Sequence, residues 1–255
     1  MIKNIIHYRH ALWSLSMAQL KSRYAGTVLG IYWTIINPLL MMFAISFVFT
    51  QVFKSGQEHF SFFILSGIIP WMFFSSALSE ATNSILNQQN MMRQFSFPVA
   101  VLPLASVMTH FFNFLIGWVA MYPLFLIANP KIIFLAHLLP LIFFLHLCLA
   151  AGFCLALSVL NVFFRDVGQL LGMVLMFWFW VTPVFYTIEM VPAQFLWMYD
   201  INPMAPFIIF YQKIIFEGVL PGPVLFAQTF TYALVSVCAG LAVFIKFEPG
   251  ILKKL

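Results

Sequence analysis

The chain has 255 residues, of which 63% are hydrophobic, 18% aromatic and 7% charged, with a mean hydropathy of +1.00 and a formal net charge of +5. A soluble domain clothes its surface with roughly 25% charged residues, so this composition excludes a water-soluble globule and makes lipid part of the fold. Its basic residues are scattered singly or gathered at the two ends with no basic stripe, which excludes a nucleic-acid binder; long runs apolar on all sides exclude a β-barrel.

Residues 1–23 carry Lys3, Arg9, Lys21 and Arg23, too many charges for a span or a clean signal peptide. Ile2, Ile5, Ile6, Leu12, Trp13, Leu15, Met17 and Leu20 alternate with polar positions, the pattern of a helix lying in the membrane interface. Such a helix is either a docking element beneath a membrane domain or a lipid-surface anchor. Six apolar segments then follow, at about 29–53, 61–83, 99–128, 132–160, 167–187 and 224–247, each long enough for about 30 Å of hydrocarbon. With the N-terminus inside, Lys3, Arg9, Lys21, Arg23, Arg93, Arg165, Lys246, Lys253 and Lys254 fall on the cytoplasmic side, and Lys54, Lys131 and Lys213 outside. Both termini are therefore expected in the cytoplasm. The stretch 188–223 contains a run of about ten apolar residues closed by Glu217 and Gly218, too short to span, and reads as an outer re-entrant or interfacial helical pair. The fold class is all-α: a single polytopic membrane domain of six transmembrane helices, with an N-terminal interface helix and that outer pair before the last span.

No catalytic constellation assembles from the sequence. HExxH, GxSxG and GxxxxGK[ST] are all missing, so no metal-dependent or serine hydrolase chemistry is indicated and the chain has no P-loop of its own. His110, His137 and His146 lack ligand spacing and read as interfacial or hydrogen-bonded residues, while Cys148, Cys154 and Cys238 read as small packing residues. No metal site is expected. Glu80 is the one acid inside a span, among Ser75, Ser76, Ser79, Thr82, Asn83 and Ser84; it borders a polar conduit or snorkels to the interface. Trp33, Trp178, Trp180, Phe185 and Tyr186 fit either an aromatic belt or flat contacts for sugar rings in such a conduit.

Four stretches resemble the permease subunits of ABC-2 type exporters of O-antigen, capsular polysaccharide and teichoic acid. LKSRYAGTVLGIYWTIINPLL at 20–40, with Lys21, Arg23 and Tyr24, is similar to the family's opening signature; FSFPVAVLPLA at 95–105 is similar to its Phe-Pro and Leu-Pro pair. NVFFRDVGQLLGMVL at 161–175 resembles its Phe-Arg-Asp stretch in the second cytoplasmic loop, where Arg165 marks the inside and Asp166 complements a helix N-terminus. TPVFYTIEMVP at 182–192 and INPM at 201–204 look like its external segments. The resemblance implies an ATPase-coupling element in the first cytoplasmic loop, 84–98, with Asn90, Met91, Met92, Arg93, Gln94 and Phe95 as contacts. It further implies a homodimer in the bacterial inner membrane with two copies of a separate ATPase, which would hold ATP and Mg, and a polyprenyl-diphosphate-linked polysaccharide as cargo. O-antigen is the preferred cargo, with teichoic acid or capsule as alternatives; an ATP-independent channel or lipid scramblase is the reading from a different class.

Overall fold

A computed structural model describes residues 8–52, 59–89 and 98–254, and every regular element among them is helical. In chain order these are α1 (Arg9–Tyr24), α2 (Trp33–Phe47), α3 (Phe60–Asn87), α4 (Val101–Ala128), α5 (Ile132–Leu135), α6 (Leu139–Phe163), α7 (Asp166–Val181), α8 (Trp197–Ile201), α9 (Ala205–Gln212) and α10 (Pro223–Lys254), with short 3-10 and π turns between them. Among the described residues, five stretches are long and apolar enough to cross a membrane: Gly30–Gln51, Phe60–Asn87, Val101–Ala128, Ile132–Phe163 and Pro223–Ile251. The chain is thus an all-α polytopic membrane protein. A sixth apolar helix, α7, has 16 residues, a rise of about 24 Å. It stops at Val181, short of the 167–187 stretch, because Pro183 forces Thr182 into an extended conformation with ψ 136°.

Proline elsewhere does not break the helices. Pro38, Pro70, Pro123 and Pro249 lie inside α2, α3, α4 and α10, where the alternative to a helix is unpaired backbone in lipid. α1 and α2 are separated by a turn with Gly26 at φ +75° and Gly30 at φ +53°, conformations open to glycine at no steric cost.

α3 is the central helix, packed against α2, α4, α6, α7 and α9. Phe74, Ala77, Leu78, Ala81 and Ile85 are fully buried along it. Aromatic rings fill the middle of the bundle: Phe73 meets Phe114 at 5.0 Å and stands edge-on to His146 at 4.9 Å between ring centroids. α6 and α10 approach most closely, for a Cβ added at Gly152 would collide with the Ser236 carbonyl and one at Gly240 with the Gly152 backbone. The Ser236 hydroxyl donates to the Leu149 carbonyl at 2.8 Å across the same contact. Small residues admit this approach, and in lipid close packing replaces hydrophobic exclusion as the source of helix association.

Within 188–223 the two limbs behave differently. α8 is largely exposed, whereas α9 buries every residue but Ile209. Gln212 donates to the Pro183 carbonyl at 2.8 Å, and the Tyr211 hydroxyl lies 3.3 Å from His146 Nδ1, so α9 is sunk among α3, α6 and the turn after α7. Trp178 donates its indole N–H to Asn202 Oδ1 at 2.7 Å, and the Asn202 amide donates to the Thr182 hydroxyl at 3.1 Å. Those bonds link the Thr-Pro-Val and Asn-Pro stretches that the sequence singles out.

Candidate functional site

Ser75, Ser76, Ser79, Glu80, Asn83 and Asn87 recur along α3 at intervals of one helical turn, so they form a polar stripe on an otherwise apolar helix. The stripe is the floor of an open groove of about 760 Å³. One wall is α7, through Gly172, Leu175, Met176, Phe179 and Trp180; Met41 of α2 and Arg23 of α1 border the other side, and Trp71 closes one end of the floor. A carboxylate and a row of hydroxyls at membrane depth need water or polar ligand, and this groove supplies the space.

Glu80 does not stand alone. His110 Nε2 lies 2.8 Å from Glu80 Oε2, and Arg23 Nη1 donates to His110 Nδ1 at 3.0 Å, while Arg23 Nη2 is 3.9 Å from the same carboxylate oxygen. With Nδ1 accepting from Arg23, the other ring nitrogen carries the proton given to Glu80. Three helices, α1, α3 and α4, are thereby joined by one charged cluster. The next turn adds a neutral one: the Tyr24 hydroxyl bonds Asn113 Oδ1 and lies 2.7 Å from the Thr34 hydroxyl, which donates to the same Asn113 oxygen at 2.8 Å. Arg23, Tyr24, Trp33, Thr34, Asn37, His110 and Asn113 also line a second cavity of about 260 Å³ that shares Arg23 and Ser76 with the groove.

α1 is held along its length. Ser16 donates to the Ala105 carbonyl at 3.2 Å, and Thr109 lies within bonding distance of the Ser16 carbonyl and of Gln19, while Trp13 packs edge-on to Phe112. Ser16, Arg23 and Tyr24 meet residues 105, 110 and 113 in the same order, so α1 and α4 run in one direction over these turns. At the same end of the bundle, Asn161 donates to the Thr82 carbonyl at 3.0 Å and to Asn83 Oδ1 at 3.1 Å, and accepts from Gly168 N–H at 2.9 Å. These bonds connect the α6–α7 loop, with Arg165 and Asp166 exposed at the start of α7, to the groove floor.

The residues expected in a conduit are not all brought together. Glu80 and Trp180 line the groove and Trp33 the adjoining cavity. Trp178 is engaged with Asn202 and packed on Phe74 and Phe153, and Phe185 is buried against Phe49 and Phe179. Tyr186 donates to the Val181 carbonyl at 2.9 Å and accepts from the Tyr199 hydroxyl at 3.0 Å, beyond the end of α7. Lys21 is exposed on α1. Asn90, Met91, Met92, Arg93, Gln94 and Phe95 lie outside the described residues. Sequence reasoning missed His110 and Asn113 as partners of the cluster and Trp71 as a groove residue; the signal for the first two was the spacing of Thr109, His110 and Asn113 on one face of an apolar helix. Among the described residues, no group of three or more His, Cys, Asp or Glu could hold a metal ion.

The sequence model of the ABC-2 type transporter family matches residues 10–216. The chain is 32% identical over 224 residues to the O-antigen export system permease protein RfbA of Myxococcus xanthus, covering 87% of this chain and 86% of that one. It is 28% identical over 235 residues to an RfbA of Klebsiella pneumoniae, with 90% and 88% covered. The polysialic acid transport protein KpsM of Escherichia coli is 22% identical over 247 residues, 94% of each chain.

Proposed function

Because the chain belongs to the ABC-2 type transporter family, we propose that it is the membrane permease of an ATP-driven exporter that carries a lipid-linked polysaccharide of O-antigen type out of the cytoplasm. The observation that carries this reading is the groove: a polar α3 floor with aromatic flanks, open along one side, inside an otherwise apolar bundle. A hydroxyl-rich polymer cannot enter hydrocarbon without losing its hydrogen bonds, so its path must be lined by groups that replace water. A single chain supplies half of such a path. Two copies, with their grooves facing, would enclose it, and the exposed apolar residues of α2 and α7 beside the groove, such as Phe43, Phe47, Met173 and Phe177, would then meet lipid or the second copy. In this arrangement six helices cross the membrane, α7 being the short one, and α9 is a re-entrant limb.

The chain has no nucleotide site of its own in this reading. A separate ATPase binds ATP and Mg and contacts the loop around 84–98, and both ends of the chain lie on its side of the membrane. Closure of the ATPases moves α1, and the Arg23–Glu80–His110 cluster carries that movement into the groove floor. The lipid carrier, a polyprenyl diphosphate, stays beside the bundle while the sugar chain passes along the groove.

The test is reconstitution of the chain with its ATPase in vesicles loaded with a polyprenyl-diphosphate-linked glycan. ATP-dependent appearance of glycan on the far side is expected. Equal movement without the ATPase would identify a channel or scramblase instead.

A further inference from the structure

We propose that the groove selects an electrically neutral glycan and rejects a polyanionic one; the inference rests on the groove being the path of the sugar chain. Among the described residues lining it, Arg23 and Glu80 are the charged groups, and they compensate each other. Arg23 is further occupied by His110, so no cation is left over to receive an anionic sugar. A second, symmetry-related groove would bring another balanced pair and no surplus charge.

The hydrogen-bonding character of the floor points the same way. Ser79 gives its proton to the Ser75 carbonyl at 2.8 Å, Ser75 gives its own to the Met72 carbonyl at 3.4 Å, and Asn83 donates to the Ser79 carbonyl at 3.1 Å. The Ser75 and Ser79 protons are thus committed to the helix, which leaves their hydroxyl oxygens and the Glu80 carboxylate on the floor as acceptors. A neutral sugar brings O–H donors that satisfy acceptors. A carboxylate or phosphate on every repeat brings acceptors alone, meets Glu80, and leaves its charge uncompensated where water is restricted.

The experiment compares two cargoes on one polyprenyl diphosphate carrier, a neutral galactan and a polysialic acid of equal length, exported by the permease with its ATPase in vesicles. The galactan should move faster by roughly tenfold or more. Equal or faster movement of the polysialic acid overturns the selectivity while leaving export intact; failure of both cargoes with ATP present overturns the groove as the sugar path as well. Ser79→Arg adds a cation to the floor without touching the Arg23–Glu80 pair and should raise the ratio of polysialic acid to galactan export by about fivefold. An unchanged ratio in Ser79→Arg removes the floor as the source of selection. Glu80→Gln, which leaves the Arg23 charge uncompensated, should shift the ratio in the same direction.

Discussion

His110 joins three helices through one ring, accepting from Arg23 and serving Glu80, and its neighbours along α4 hold α1 by neutral bonds. His110→Phe keeps the ring and its packing but leaves Glu80 with a single partner at 3.9 Å. The expected cost is about 1–3 kcal/mol, visible as a lowered melting temperature of the detergent-solubilised protein, with His110→Gln recovering part of it. A wild-type melting curve for His110→Phe would show that the cluster contributes nothing to holding α1. Tyr24→Phe removes the hydroxyl shared by Thr34 and Asn113 and should cost about 1 kcal/mol by the same measurement. Glu80 was legible from the sequence because an acid in a span needs an account. Its partner was not, since 30 residues separate the two positions and nothing local pairs them.

At the scale of elements, the contact between α6 and α10 depends on Gly152 and Gly240 having no side chains. Gly240→Leu should force the helices apart and cost about 1–3 kcal/mol or more, read as a lower melting temperature and a smaller yield of folded protein. Gly172→Ala, inside α7 where an added Cβ meets nothing within 4 Å, should not lower the melting temperature and, by helix propensity, should raise it slightly. The apolar segments announced their helices, and Arg165 and Asp166 announced the start of α7. The end of α7 was also readable in principle, from Thr182-Pro183. The burial of α9 was not: α8 and α9 are both rich in apolar residues, and only the bonds from Gln212 and Tyr211 into the bundle distinguish the limb that is enclosed from the one that is exposed.

For the whole molecule, Arg9, Lys21, Arg23, Arg165 and Lys246 gather at the end of the bundle that holds α1, while Lys131 and Lys213 lie at the other. On the orientation proposed above, the positive-inside bias would put α1 in contact with the cytoplasm. In a variant whose own cysteines are replaced, Lys131→Cys should react with a membrane-impermeant maleimide added to intact spheroplasts, and Arg165→Cys only after permeabilisation. The opposite pattern would reverse the direction of export assigned to the groove.

The sequence by itself determined that the chain lies in a membrane, that its backbone must close its hydrogen bonds within helices, and that it has the signature stretches of its family, because composition and short-range spacing govern all three. Tertiary structure alone decided that the α3 stripe faces α7, that Arg23 and His110 converge on Glu80, and that Trp178 and Phe185 pack inside while Trp180 borders the groove. In lipid, helices apolar all round carry little pattern to fix their rotation. Which side chains meet is settled by close packing and a few polar bonds between residues far apart in the chain.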